Sequence, residues 1–170
     1  MRPEALYFLA VIVAAQLNYR TIDPERDREI ILSNYRDAYT ASFALDDAPA
    51  RRVEEYLPWL RARVEECPDG HVLAMLPGGE QCVGQLELQV PYGLDWGYIN
   101  LYCVTPPFRR QGVGRRMHAY VERYFRSWDA HRIELHVSPK NDSALNFYRA
   151  LGYSYVRSEG NVWRLVKSLE

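Results

Sequence analysis

Cys103-Val104-Thr105-Pro106-Pro107-Phe108-Arg109-Arg110-Gln111-Gly112-Val113-Gly114-Arg115-Arg116 carries an apolar strand through a tight basic turn and straight into a helix. Gly112 and Gly114 reach backbone conformations closed to other residues and let a ligand come close to the main chain. The helix that follows begins with unpaired N–H groups and the positive end of its dipole. A phosphate or diphosphate suits such a turn, gripped by the amides of Arg110, Gln111, Gly112, Val113, Gly114 and Arg115. The side chains of Arg109, Arg110 and Arg115 add screened positive charge. The spacing Arg109-x-x-Gly112-x-Gly114 is neither the Gly-x-x-x-x-Gly-Lys-Ser/Thr of a P-loop nor the Gly-x-Gly-x-x-Gly of a dinucleotide fold.

A second segment narrows the reading. Leu135-His136-Val137-Ser138-Pro139-Lys140-Asn141-Asp142-Ser143-Ala144-Leu145-Asn146-Phe147-Tyr148-Arg149-Ala150-Leu151-Gly152-Tyr153 reads as a strand, a turn, a short helix stopped by Gly152, and the start of another strand. The two segments together resemble the GNAT N-acetyltransferase superfamily. The first is similar to its acyl-CoA motif, Arg/Gln-x-x-Gly-x-Gly/Ala after an apolar strand. The second is similar to Asn-x-x-Ala-x-x-Phe/Leu-Tyr-x-x-x-Gly-Phe/Tyr, matched by Asn141, Ala144, Tyr148, Gly152 and Tyr153.

The resemblance implies an α+β fold: a mixed, mostly antiparallel twisted sheet of six to seven strands, about four helices, and a V-shaped split between two central strands. It implies an enzyme that moves an acetyl group from acetyl-CoA, as co-substrate, directly to a primary amine of a small molecule, an amino acid or a protein. A non-catalytic acyl-CoA-binding or sensing module of the same fold is the alternative. In such a protein pantetheine lies along the strand end Cys103-Val104, and Asn141 bonds the pantetheine arm or serves as a helix N-cap. The Val104 amide, placed near a strand bulge, stabilises the oxyanion. Tyr148 stands where the family carries its general acid.

The general base departs from the commonest pattern. Where some members carry a strand glutamate this chain has Tyr98, with Asn100 two residues on. His136 occupies another position that carries a base in the family, and imidazole suits proton abstraction near neutrality. Glu87 and a water ordered by Tyr98 and Asn100 are the further candidates. Cys103 as a covalent nucleophile is disfavoured, since no His-Asp arrangement accompanies it.

Bulk properties agree with an ordinary soluble domain: 48% apolar, 25% charged, net charge −1 over 170 residues. With a pI near 6.4, nothing marks a nucleic-acid binder. Cys67, Cys82 and Cys103 show no metal-ligand spacing and cannot all pair, so no metal and a reducing cytoplasm are expected. The apolar run Ala5 to Ala15 is too short to span a bilayer. Arg2 and Val13-Ala14-Ala15 are compatible with an export signal, but an acetyl-CoA enzyme belongs in the cytoplasm. We therefore expect residues 1–17 to be an apolar extension and residues 18–170 the domain, with no membrane partner and room for a homodimer.

In order, the chain predicts a strand at Tyr19 to Ile22 and a helix opened by Asp23-Pro24 and ending near Ser42. After a loop from Ala44 to Pro49 comes a helix over Ala50 to Glu66, kinked or divided by Pro58. An antiparallel meander follows over His71 to Leu76, Gln81 to Val90 and Trp96 to Val104. The helix Val113 to Trp128, with Val113, Met117, Tyr120, Val121 and Tyr124 inward, leads to the strand Arg132 to Val137. The helix Asp142 to Leu151 and the strands Tyr153 to Arg157 and Asn161 to Val166 close the sheet. Acceptor identity is expected to reside in loops 42–52 and 90–96.

Overall fold

The computed structural model describes residues 16–43 and 50–170. The Ala5 to Ala15 run and the Ala44 to Pro49 loop lie outside the described residues. The elements are β1 (Asn18–Thr21), α1 (Arg28–Phe43), α2 (Ala50–Glu66), β2 (His71–Met75), β3 (Cys82–Gln89), β4 (Trp96–Val104), α3 (Val113–Ser127), β5 (Arg132–Val137), α4 (Asp142–Ala150), β6 (Ser154–Glu159) and β7 (Val162–Ser168). They form one seven-stranded sheet in the order β1-β2-β3-β4-β5-β7-β6. Every neighbouring pair is antiparallel except β4 and β5.

Strand alternation sends side chains to two separate cores. Val72 and Ala74 of β2 join Leu86, Leu88, Ile99, Ile133 and Leu135 against Met117, Val121 and Phe125 of α3. Leu73 and Met75 face the other way, against Ile31 of α1 and Tyr56, Leu57 and Leu60 of α2. Helices thus cover both faces, and β4 is central to both. Leu17, expected in the apolar extension, is buried in the larger core. Among the described residues no helix is long and apolar enough to cross a membrane. All three cysteines are free thiols.

Some local expectations shift. Asp23 does cap, its Oδ1 accepting from the amides of Glu25 and Arg26, but the helix proper starts only at Arg28. In between, Asp27 accepts two hydrogen bonds from Arg20 and one from the Asp23 amide, which hold its carboxyl far below the usual range against the opposing effect of burial. Pro58 does not divide α2, which runs unbroken from Ala50 to Glu66. A helix-interior proline costs about 3 kcal/mol, whereas burying side chains such as Tyr56, Leu57 and Leu60 returns roughly 1.5–3 kcal/mol each, so packing wins. On α3, Tyr120 stacks on Tyr19 at 4.1 Å rather than entering the core, and His118 is buried at 2% exposure.

Two irregularities in β4 position the site. Its parallel ladder with β5 runs only from Trp96–Arg132 to Ile99–Leu135 and then stops, so residues 100–104 diverge from 136–137. This is the expected split. The register with β3 slips between Glu87–Leu101 and Leu88–Ile99, which makes Asn100 the extra residue of a β-bulge.

Candidate active site

The turn after β4 is built to present backbone. Arg110 and Gly112 both adopt left-handed φ angles, 62° and 76°. Gly112 stands at the N-cap of α3 without a side-chain cap, and the first amide bonded back to it is that of Arg116, at 3.2 Å. The amides of Val113, Gly114 and Arg115 therefore have no helical acceptor, the arrangement that binds anions. A Cβ on Gly112 would meet nothing within 4 Å, so backbone angle rather than space demands glycine there. At Gly114 space decides: a Cβ would stand 3.0 Å from the Phe147 ring of α4. Tyr102 Oη donates to the Gly114 carbonyl at 2.5 Å and ties β4 to the helix start.

Some of the side chains expected to assist are engaged elsewhere. Arg109 donates through Nε to the Val104 carbonyl at 2.8 Å and pairs with Asp37 of α1, so its guanidinium braces the turn from within. Gln111 Nε2 donates to the Pro107 carbonyl at 2.7 Å. Arg110 and Arg115 are exposed.

Along the split, amide direction is fixed by pairing. The Thr105 amide bonds the Val83 carbonyl of β3 at 3.0 Å, and in an antiparallel ladder alternate residues point the same way. Cys103 therefore also faces β3, while Tyr102 and Val104 direct their polar backbone into the gap. Cys103 is thus displaced from the cofactor edge, and its thiol sits 3.8 Å from Asp37, 2% exposed and pushed up to about 12 by burial. Such a thiol is a poor nucleophile. The expected association of Val104 with the bulge also changes, because the bulge is at Asn100 and Tyr102 lies nearer to it.

On the α4 side of the gap, Tyr148 packs edge-on against Tyr102, Phe147 and Tyr153 at 6.2, 5.3 and 5.3 Å between ring centres. Burial, with Tyr98 as electrostatic neighbour, raises its pKa well above that of a free phenol. Its hydroxyl has no hydrogen-bond partner among the described residues. The phenol therefore keeps its proton at neutral pH, the form in which it can donate to a sulfur whose C–S bond is breaking. Asn141 is the N-cap of α4, its Oδ1 accepting from the Ala144 amide at 3.0 Å, which leaves its amide nitrogen for a ligand.

The opposite face of the sheet carries a relay. Ile99 faces α3, so Tyr98 points away from it; Leu135 and Val137 do the same for His136. The Tyr98 hydroxyl lies 2.7 Å from His136 Nδ1, and His136 Nε2 lies 2.8 Å from Glu159 Oε2. Glu159 is held in place by Arg157 and Arg164 and is kept ionised chiefly by its bond from Arg157. With Nε2–H donating to that carboxylate, Nδ1 is the acceptor for the phenol. Burial raises the Tyr98 pKa, so the phenol carries its proton at rest.

Glu87, on β3 beside the bulge, lies deeper. It is 2% exposed and accepts from Tyr56 Oη at 2.5 Å and Gln85 Nε2 at 2.8 Å, and Asn34 supports Gln85 at 3.1 Å. Burial, partly offset by those bonds, raises its pKa to about 7.

Residues 30–153 match the family described as Acetyltransferase (GNAT) family. The chain belongs to that family. Among curated proteins, N-alpha-acetyltransferase 20 of Dictyostelium discoideum is 35% identical over 68 residues, 39% of each chain. The N-terminal acetyltransferase B complex catalytic subunit naa20 of Schizosaccharomyces pombe is 36% identical over 66 residues, 38% of this chain and 37% of the relative. The match thus spans about two fifths of the length of these relatives. Among solved structures, the PaiA N-acetyltransferase of Thermoplasma acidophilum in complex with coenzyme A superposes with TM-score 0.71 at 15% identity, over 89% of this chain and 98% of that one. Spermidine N-acetyltransferase of Vibrio cholerae in complex with CoA and spermine gives 0.70 at 16%, over 91% and 96%. At those identities they establish the GNAT fold alone.

Set in that fold, the sequence-predicted residues fall into two groups. Val104, Arg110 to Arg115, Asn141 and Tyr148 line the turn and the split, and His136 lies across β5 from them. Cys103 and the Arg109 side chain do not. Sequence reasoning missed Tyr102, Asp37 and Glu159. No local signal marks Glu159, because β7 lies between β5 and β6 and only that order brings the hairpin end to His136.

Proposed function

We propose that this GNAT protein transfers the acetyl group of acetyl-CoA directly to a primary amine. The reading rests on one observation: an uncapped helix start, behind two left-handed residues, adjoins a gap that opens where the β4–β5 ladder ends. The amides of 110–115 hold the diphosphate, and the edge of β4 at Tyr102 and Val104, with the Asn141 amide nitrogen, guides the pantetheine arm. Arg110 and Arg115 contribute screened charge from solvent.

An acceptor amine with pKa near 10.4 arrives protonated. Its proton passes to the Tyr98 phenol as that phenol gives its own to His136 Nδ1. The freed nitrogen attacks the thioester carbon, and the amide of Val104 or Tyr102 receives the oxyanion. A preorganised donor of this kind contributes about 3–4 kcal/mol. The C–S bond then breaks, Tyr148 protonates the leaving thiolate, and the second amine proton, lost from the new amide nitrogen, restores the Tyr148 phenol. The relatives are named for N-alpha-acetylation and one structural neighbour for spermidine, and a primary amine is the acceptor those names share. A cytoplasmic location, where acetyl-CoA is made, fits this reading.

A panel of amines with acetyl-CoA, read by release of free thiol, tests the reading. Amine-dependent thiol release is expected. Tight coenzyme A association with no release across the panel would instead identify a sensing module, a role for which the absence of a β4 carboxylate leaves room.

A further inference from the structure

Beside the bulge, on the sheet face that carries Tyr98 and His136, a cleft of about 360 Å³ opens between α1, α2 and β3–β4. Its walls are aromatic. Tyr35 and Tyr56 stack at 4.1 Å, and Trp59 follows at 6.2 Å from Tyr56. Glu87 lies at its base and Glu55 at its side, and among the described residues no lysine, arginine or histidine lines it. His71 lies across from Glu87 on β2 but donates through Nδ1 to the Cys67 carbonyl, and burial lowers its pKa and favours the neutral ring.

Glu87 is an anomaly on its own. Buried carboxylates are ordinarily matched by a cation, yet both hydrogen bonds to its Oε1 come from neutral groups, Tyr56 and Gln85, and none falls on Oε2 among the described residues. Asn100, the bulge residue at the same cleft, has a buried Nδ2 without a partner. Aromatic faces around a buried carboxylate make a receptor for a positive charge.

We propose that this cleft binds a second, non-reacting cationic group of the acceptor, so that the substrate is a diamine-type molecule with one amine to acetylate and another cation held at Glu87. The inference rests on the acetyl-transfer reading above and names its substrate class. Tyr98 takes the reacting end on β4, one strand spacing from β3 and opposite Gln89, two residues beyond Glu87, so the two charges stand roughly 8 Å apart. A chain of several methylenes spans that distance, and the apolar edges of Tyr56 and Trp59 accommodate its start. Acidic or neutral acceptors gain nothing from the cleft.

Thiol-release kinetics on a series of α,ω-diamines and on monoamines of equal length test this. The diamines should show at least about tenfold higher kcat/KM, about 1.4 kcal/mol, with an optimum in chain length. Glu87→Gln, which retains the oxygen that Tyr56 and Gln85 bond, should collapse the diamine-to-monoamine ratio toward one. Tetramethylammonium, which cannot be acetylated, should bind the wild-type protein and quench tryptophan fluorescence, with the quench lost in Trp59→Phe. Equal rates for diamines and monoamines, or a Glu87→Gln ratio unchanged from wild type, would overturn the proposal while leaving acetyl transfer standing. If no amine supports thiol release, the transfer reading fails by itself; tetramethylammonium binding that ignores Trp59→Phe and Glu87→Gln would then dispose of the cation site separately.

Discussion

The two ends of the β4 cleft are made of different material. The end proposed to hold the diphosphate is backbone: left-handed Arg110 and Gly112, an uncapped helix, and an arginine whose side chain reaches Val104 and Asp37. The end proposed to take the acceptor is side chains: Tyr98, His136 and Glu159 from three strands, and Glu87 with Tyr56 from a strand and a helix. Backbone chemistry depends on conformation and tolerates changes of side chain. Side-chain chemistry depends on identity and tolerates almost none.

Substitutions on each side sharpen that contrast. The largest effect is expected for Tyr148→Phe, which removes the acid and nothing else: kcat should fall at least about 100-fold with little change in coenzyme A affinity. Next, His136→Ala and Tyr98→Phe should each lower kcat by about 100-fold and together by little more than either alone, as members of one relay. A fully additive double mutant would separate them. On the backbone side, Gly112→Val forces a β-branched residue into left-handed geometry, a strain of at least 1–2 kcal/mol, so coenzyme A should bind about tenfold more weakly by calorimetry. Arg110→Gly, which keeps the geometry and removes the charge, should bind within about threefold of wild type. If Arg110→Gly proved worse than Gly112→Val, the division between backbone and side chain would be wrong.

The smallest effect is on stability. The folded pKa of Glu87, about 7, lies above its ordinary 4.5, mainly through burial. The folded state therefore binds that proton more tightly, and the associated stability is complete below the ordinary value and is lost as pH rises through about 7. Thermal melts of Glu87→Gln should lack this decline, a difference visible as convergence with wild type in acid and divergence above neutrality.

The same contrast explains what could be read from sequence. Gly112 and Gly114 record a left-handed turn and a close helix contact in a few adjacent letters, so the turn, the following helix and the strand Arg132 to Val137 were all legible. Tyr148 was legible because its helix motif is contiguous too. Glu159 was not, since its meeting with His136 depends on β7 inserting between β5 and β6. The bulge was anticipated but put near Val104 rather than at Asn100, because a one-residue slip in pairing leaves no local trace. Of the two effects expected of Pro58, division of the helix did not occur, because a local propensity was outweighed by the burial of its neighbours.

The central claim is that main-chain amides between Arg110 and Arg115 hold the diphosphate of coenzyme A. A titration of ¹⁵N-labelled protein with coenzyme A, followed amide by amide, tests it most directly. The largest shifts should fall on residues 110–115, with a second group at Tyr102 and Val104, and all should weaken in Gly112→Val. Saturable binding that leaves the 110–115 amides unmoved, or no binding at all, would contradict it.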